Sequence, residues 1–314
     1  MAITEYHKTS NISHTTNKSD YPLGHQPAEL DRLDNQALLL RDPLLEELAA
    51  KSKSCLEIGC GNGSNLSILR QANPHLNYTG IDISPEAIAA ANLKYCSNNT
   101  NFLTMDGSSI NLKKGQFDLV FTKLVLWSVG PAWAGILKQA YDLLAPGGIF
   151  YAFEPCNQFI EMQPVKPAAK AWMNAWDQAA IKKGLDPYIG TKVATQMNKA
   201  NFANIGTKFF SVVATGSDVD KYKSIVDNLQ GFYMGPAAEH LELTANTTLD
   251  PGTHIGISPD TKSKMSSGSS GSSGSSATVT TNNLKAAAIT ELNDIHPGDL
   301  VMDALFVTWG SKHG

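Results

Sequence analysis

Only three arginines occur in the chain, Arg32, Arg41 and Arg70, and the formal net charge is −4. Nucleic-acid binders draw most of their affinity from neutralising phosphates with a basic, arginine-rich surface. That footprint is absent, so no nucleic-acid partner is expected. The four cysteines, Cys55, Cys60, Cys96 and Cys156, form no C-x-x-C pair, so no metal site is expected. They are expected to be free thiols in a reducing compartment, which points to the cytoplasm. No apolar run approaches the roughly 18 residues needed to cross a bilayer. The N-terminal stretch MAITEYHKTSNISHTTNKSD is polar throughout and is not expected to be a signal peptide. What the chain does have is 42% hydrophobic residues, enough for a buried core and against global disorder.

The hydrophobic pattern divides the chain. Residues 1–20 are expected to form a disordered arm. Over 26–50, Leu30, Leu33, Ala37, Leu38 and Leu40, then Leu44, Leu45 and Leu48, recur at helical spacing. These residues, from position 21, are expected to be N-terminal cap helices. Between 51 and 155 strand and helix alternate. Strands are expected at 54–58, 77–82, 101–105, 117–122 and 148–154, with helices at 63–72, 85–95 and 130–145. Such alternation implies a parallel sheet with helices on both faces, a doubly wound α/β fold. Residues 156–314 form the second half. Helices are expected at 164–183, 190–203, 219–245 and 283–292, and β-rich runs at 207–214 and 301–310. The repeat SSGSSGSSGSS at 266–276 is a flexible linker by composition, and its regularity suggests an engineered replacement.

The chemistry sits in the first half. Leu56-Glu57-Ile58-Gly59-Cys60-Gly61-Asn62-Gly63-Ser64-Asn65 follows an apolar strand and opens a helix. Glycines there allow positive φ and close approach of a ligand to backbone, with helix N–H groups facing it. The spacing is G-x-G-x-G, not the G-x-G-x-x-G of dinucleotide enzymes. Glu57, ahead of the first glycine, suits a ligand with an ammonium group. Asp82 ends the second strand, where an acid can accept both ribose hydroxyls; Ser84 is the better candidate for capping the next helix. Asp106, in Met105-Asp106-Gly107, ends the third strand, where an acid can meet an adenine amino group. It also fits a plain Asp-Gly turn. Ala145-Pro146-Gly147-Gly148 ends a helix and feeds a strand.

Taken together, in this order over 54–154, these blocks resemble the class I S-adenosylmethionine-dependent methyltransferases. The resemblance implies a Rossmann-like seven-stranded sheet whose last two strands, 207–214 and 301–310, form an antiparallel hairpin. It implies that Gly59, Cys60, Gly61, Asn62 and Gly63, with Glu57, hold the methionine part. Asp82 and Ile83 would hold the ribose, and Met105, Asp106 and Gly107 the adenine. Tyr21 and the helix with Glu29, Arg32, Leu33 and Gln36 on one face are similar to the N-terminal cap of small-molecule members, with Arg32 or Gln36 near the methionine carboxylate. An exposed Glu29–Arg32 ion pair is the plain alternative. The chain departs from many relatives at Val125-Leu126-Trp127-Ser128, where they carry a histidine. It also lacks the N/D-P-P-Y motif of nucleobase amino methylation.

Methyl transfer needs alignment more than acid–base help, because the cofactor is already activated. If a base is required, His25 beside the cap is the first candidate, ahead of Lys123, Glu154, His240 and His254. Trp127, Trp172, Trp176 and Tyr233 are candidates for an acceptor pocket, although core packing is the better fit for Trp172 and Trp176. The long insertion before the last strand suggests a lid. A small-molecule acceptor of specialised metabolism, methylated at O, N or C, is the expectation. A protein or peptide methyltransferase and a non-catalytic cofactor-binding protein are the alternatives. Nothing in the sequence sets the oligomeric state.

Overall fold

The computed structural model describes residues 27–235, 241, 246–248 and 278–314. The expected arm at 1–20, Tyr21, His25, His240, His254 and the Gly/Ser repeat lie outside the described residues.

Two helices precede the sheet, α1 (Pro27–Leu39) and α2 (Pro43–Lys51). Proline at or next to the first helical position costs no hydrogen bond there, and Asp42 caps α2 by accepting from the Leu44 N–H. Five parallel strands follow: β1 (Ser54–Ile58), β2 (Asn77–Asp82), β3 (Thr100–Thr104), β4 (Phe117–Lys123) and β5 (Leu144–Pro155). They alternate with α3 (Ser64–Ala72), α4 (Pro85–Tyr95) and α5 (Trp133–Leu143). β1, β4 and β5 are buried along most of their length, which is why they appear in the sequence as near-continuous apolar runs.

Beyond β5 come β6 (Glu161–Gln163), α6 (Pro167–Lys182), α7 (Val193–Lys199), β7 (Ala203–Thr215), α8 (Val219–Met234), α9 (Thr281–Asn293) and β10 (Leu300–Ser311). A short ladder pairs β8 (Asn246–Thr248) with β9 (Thr278–Thr280), apart from the main sheet. β7 and β10 pair antiparallel over nearly their whole length, the hairpin expected of the last two long strands. The main path runs β3-β2-β1-β4-β5-β10, with β7 on the free edge of β10. β6 pairs Leu300–Met302 of β10, beside the stretch Leu305–Ser311 that pairs β5. It therefore prolongs the line of β5 as a short eighth strand.

The strand order reverses direction between β1 and β4. In a doubly wound sheet, ligands bind in the crevice at the carboxyl ends of the strands at that switch point. No helix among the described residues is long and apolar enough to cross a membrane.

Candidate active site at the carboxyl ends of the strands

A cavity of about 380 Å³ lies at that switch point. Its floor is the turn after β1. Gly59, Gly61 and Gly63 all take positive φ, a conformation open to glycine at little cost. The Gly59 and Cys60 amides both donate to the Ile81 carbonyl, at 2.8 and 2.9 Å, which locks the turn onto β2. Asn62 ties the turn to α1 by donating to the Leu30 carbonyl (3.0 Å) and to Asp34 (3.2 Å).

Asp82 borders the cavity at the end of β2. Its Oδ2 accepts from the Gly61 N–H at 2.8 Å and its Oδ1 from the Ser84 N–H at 2.9 Å. Each oxygen is thus oriented by one donor and keeps acceptor capacity. Ser84, not Asp82, caps α4, accepting from the Ala87 N–H. Ile83 is 53% exposed at the cavity rim, an apolar surface that packing leaves uncovered. Met105, Asp106, Gly107 and Ser108 form the wall beyond β3, with Asp106 accepting from the Ser108 N–H at 2.7 Å.

Several expected residues lie elsewhere. Glu57 is buried beneath the turn rather than in the cavity wall. It accepts from Asn65 at 2.6 Å and from the Tyr78 hydroxyl. Gly63 also stays out of the wall, starting α3 with Phe102 packed against it. Of the two cap residues, Gln36 borders the cavity while Arg32 does not. Arg32 is held by both oxygens of Glu29 at 2.7 Å, and it donates to Asn228 of α8 at 3.3 Å. Trp127, Trp172 and Trp176 are almost wholly buried and do not line the cavity. Trp127, Trp176, Phe232 and Tyr233 form an aromatic cluster with ring centroids 4.8–5.8 Å apart. The Trp172 indole donates to the Tyr233 carbonyl.

Two wall residues had only weak sequence signals. Asn65, in the first turn of α3, bridges Glu57 to Lys123, whose ammonium donates to the Asn65 Oδ1 at 3.0 Å. Burial pulls Lys123 down to about 8, against the opposing attraction of Glu57. Burial likewise pushes Glu57 up to about 7, against its bonds to Tyr78 and Asn65 and the pull of Lys123. Both groups therefore change charge near neutrality, beside the place where a ligand would lie.

Glu154 is no cavity residue. Its Oε1 accepts from Thr122 Oγ1 and from the Val125 and Leu126 amides at 3.1–3.3 Å, pinning the turn that follows β4. Its Oε2 has no partner, and burial raises the group to about 7. An acid raised in the fold keeps its proton where the unfolded chain has lost it. Its contribution is therefore full below about 4.5, is lost as pH climbs to about 7, and is constant above. Glu154→Gln keeps the carbonyl acceptor and does not titrate. Its melting temperature relative to wild type should rise between pH 5 and pH 8, by at most about 3 kcal/mol of stability. Parallel pH profiles for the two proteins would show that the carboxyl is not perturbed.

Residues 56–150 match the family model described as a methyltransferase domain. This stretch runs from β1 to β5 and includes all the cavity-lining turns except α1. Residues 56–150 are thus similar to a methyltransferase domain, set in a sheet of Rossmann-like strand order. Among curated proteins, a fatty-acid O-methyltransferase of Mycolicibacterium smegmatis is 25% identical over 133 residues, covering 42% of this chain and 48% of that protein. An arsenite methyltransferase of Aquipseudomonas alcaligenes is 30% identical over 107 residues, 31% of each chain. The match spans less than half the length of these relatives. A solved S-adenosylmethionine-dependent methyltransferase from Archaeoglobus fulgidus superposes with a TM-score of 0.50 at 14% identity, covering 91% of this chain and all of that one. It shares the fold.

Proposed function

We propose that the protein transfers a methyl group from S-adenosylmethionine to a small-molecule acceptor. The observation that carries this reading is Asp82: a carboxylate at the end of β2, bordering the cavity, with each oxygen fixed by one backbone amide and still able to accept. A vicinal diol such as that of a ribose satisfies such a pair of oxygens.

The rest of the wall fits the cofactor. The exposed Ile83 and the half-buried Met105 offer apolar surface to an adenine, and Asp106 an acceptor for its amino group. The Gly59 and Gly61 backbone lets the methionine part come close, with Lys123 placed for its carboxylate. Glu57, acting through Asn65, adds negative charge behind the site. Bound there, the cofactor supplies an electrophilic methyl group on a sulfonium and leaves as S-adenosylhomocysteine. The chain's own residues orient both reactants and exclude water. No cavity-lining residue among those described is a histidine, in keeping with chemistry that relies on alignment.

A small acceptor is supported by the α1 residues Leu33, Gln36 and Ala37, which form one wall of the cavity. A macromolecular acceptor needs an open groove. The relatives named above act, by name, on a fatty acid and on arsenite. Calorimetric titration with S-adenosylmethionine, S-adenosylhomocysteine and NADH tests the reading. Micromolar binding of the first two and none of NADH is expected. Binding of NADH with no response to the sulfonium compound would overturn it.

A further inference from the structure

A second, smaller cavity of about 30 Å³ adjoins the first, and Gln36 and Leu124 border both. That volume holds one or two groups the size of a water. It suits the head of an acceptor whose body lies along Gln36 and Leu124. The wall comes from five distant parts of the chain: α1 and its C-terminal end, the turn after β4, the end of β5 with the segment after it, α8 and β10.

Its polar content has one sign. Asp303 of β10 is 8% exposed, and among the described residues its one side-chain partner is Asn228 Nδ2 at 3.5 Å. Among the described residues the wall contains no lysine, arginine or histidine. Arg32 nearby is bound by Glu29, and among the described residues no cation forms an ion pair with Asp303. Two of the wall amides each give one of their two N–H groups to a protein acceptor. The Gln36 amide nitrogen donates to Asn228 Oδ1 at 3.0 Å. The Asn157 amide nitrogen donates to Asp177 at 2.8 Å. The wall adds the aromatic faces of Phe232 and Tyr233 and a buried Tyr233 hydroxyl that has no partner among the described residues. A buried carboxylate without a cation is costly. Burial raises Asp303 to about 6, which a bound cation would reverse.

We infer that this chamber anchors an ammonium group of the methyl acceptor, held by Asp303 and flanked by Phe232 and Tyr233. An ammonium offers three donors and no acceptor, which suits the Asp303 carboxylate, and aromatic faces favour cations. A carboxylate head would face Asp303 with like charge. The inference rests on the proposed methyl-transfer function and names the class of its acceptor.

The test uses the full chain saturated with S-adenosylhomocysteine. Ethylamine, benzylamine and 2-phenylethylamine are titrated by calorimetry beside the alcohols and carboxylic acids of the same skeletons. The amines should bind at least tenfold more tightly than their alcohols and acids. Asp303→Asn should remove that preference while changing S-adenosylhomocysteine affinity less than twofold. Tyr233→Phe, which keeps the ring, should weaken amine binding severalfold. Should Asp303→Asn not fold, the wild-type amine-to-acid comparison and Tyr233→Phe still decide. Amines that bind no better than their acids or alcohols, or an Asp303→Asn protein with undiminished amine affinity, would overturn the inference. If S-adenosylhomocysteine itself fails to bind, the methyl-transfer reading falls; if it binds and the amines do not, only the anchor falls.

Discussion

Asp82→Ala should bind S-adenosylmethionine at least a hundredfold more weakly than wild type, with little change in fold. Two losses combine. The paired, charge-assisted bonds to a ribose diol disappear, and hydrogen bonds to a charged acceptor are each worth roughly 1.5–3 kcal/mol. The Gly61 and Ser84 amides also lose the acceptor that orients them, so the glycine turn is less well ordered before the ligand arrives. Asp82→Asn separates the two causes. It can keep one amide contact but not the charge, and should recover only part of the affinity. Because α4 is capped by Ser84 rather than Asp82, the thermal midpoint of the unliganded protein should move by only a few degrees. Binding of the alanine variant within threefold of wild type would remove Asp82 from the ligand site.

Gly59→Ala should be more damaging than its single methyl suggests. The residue has φ +75°, and a Cβ there would lie 2.4 Å from Val125 Cγ2. The left-handed conformation costs an L-residue about 1–2 kcal/mol. Overpacking adds roughly 1–3 kcal/mol, since the β-branched Val125 has little freedom to turn away. Val125 cannot retreat easily either, because its amide is bound to Glu154. The substitution should therefore lower the thermal midpoint markedly and abolish cofactor binding together, as the β1 turn and the β4 turn are pushed apart. Gly147→Ala is the control. It also has positive φ, but nothing lies within 4 Å of its Cβ, so it should cost stability without affecting binding. Equal losses of binding in the two variants would show that contact with Val125 is not the cause.

The parallel half of the sheet was legible because β1, β4 and β5 are buried along most of their length, and β1 and β2 run into Gly59 and Asp82. β6 was not: three residues are too few for any period, and only their pairing with β10 makes them a strand. The helix expected over 190–203 stops at Lys199, since Asn201 turns left-handed at φ 66° and Phe202 is drawn into the core. That over 130–145 begins only at Trp133 and ends at Leu143, because Leu144 already pairs with Phe117 in the sheet. The turns carrying Gly59, Asp82 and Asp106 could be placed from local sequence, since each follows directly on a strand. The smaller chamber could not. Gln36, Asn157, Asn228 and Asp303 share no spacing, and only the folded chain brings them together. Trp172 and Trp176 show the converse: four residues apart on a helix, they have the same pattern whether they line a pocket or pack a core.

The side chain of Gln36 forms part of the wall of both chambers, and its amide is bonded to α8 through Asn228. A ligand that shifts this amide from one side changes the shape met from the other. The two occupancies are then thermodynamically linked, and whatever factor the nucleoside product adds to acceptor affinity, the acceptor must return. The linkage would show as an equal factor on the affinity of each ligand when the other is saturating.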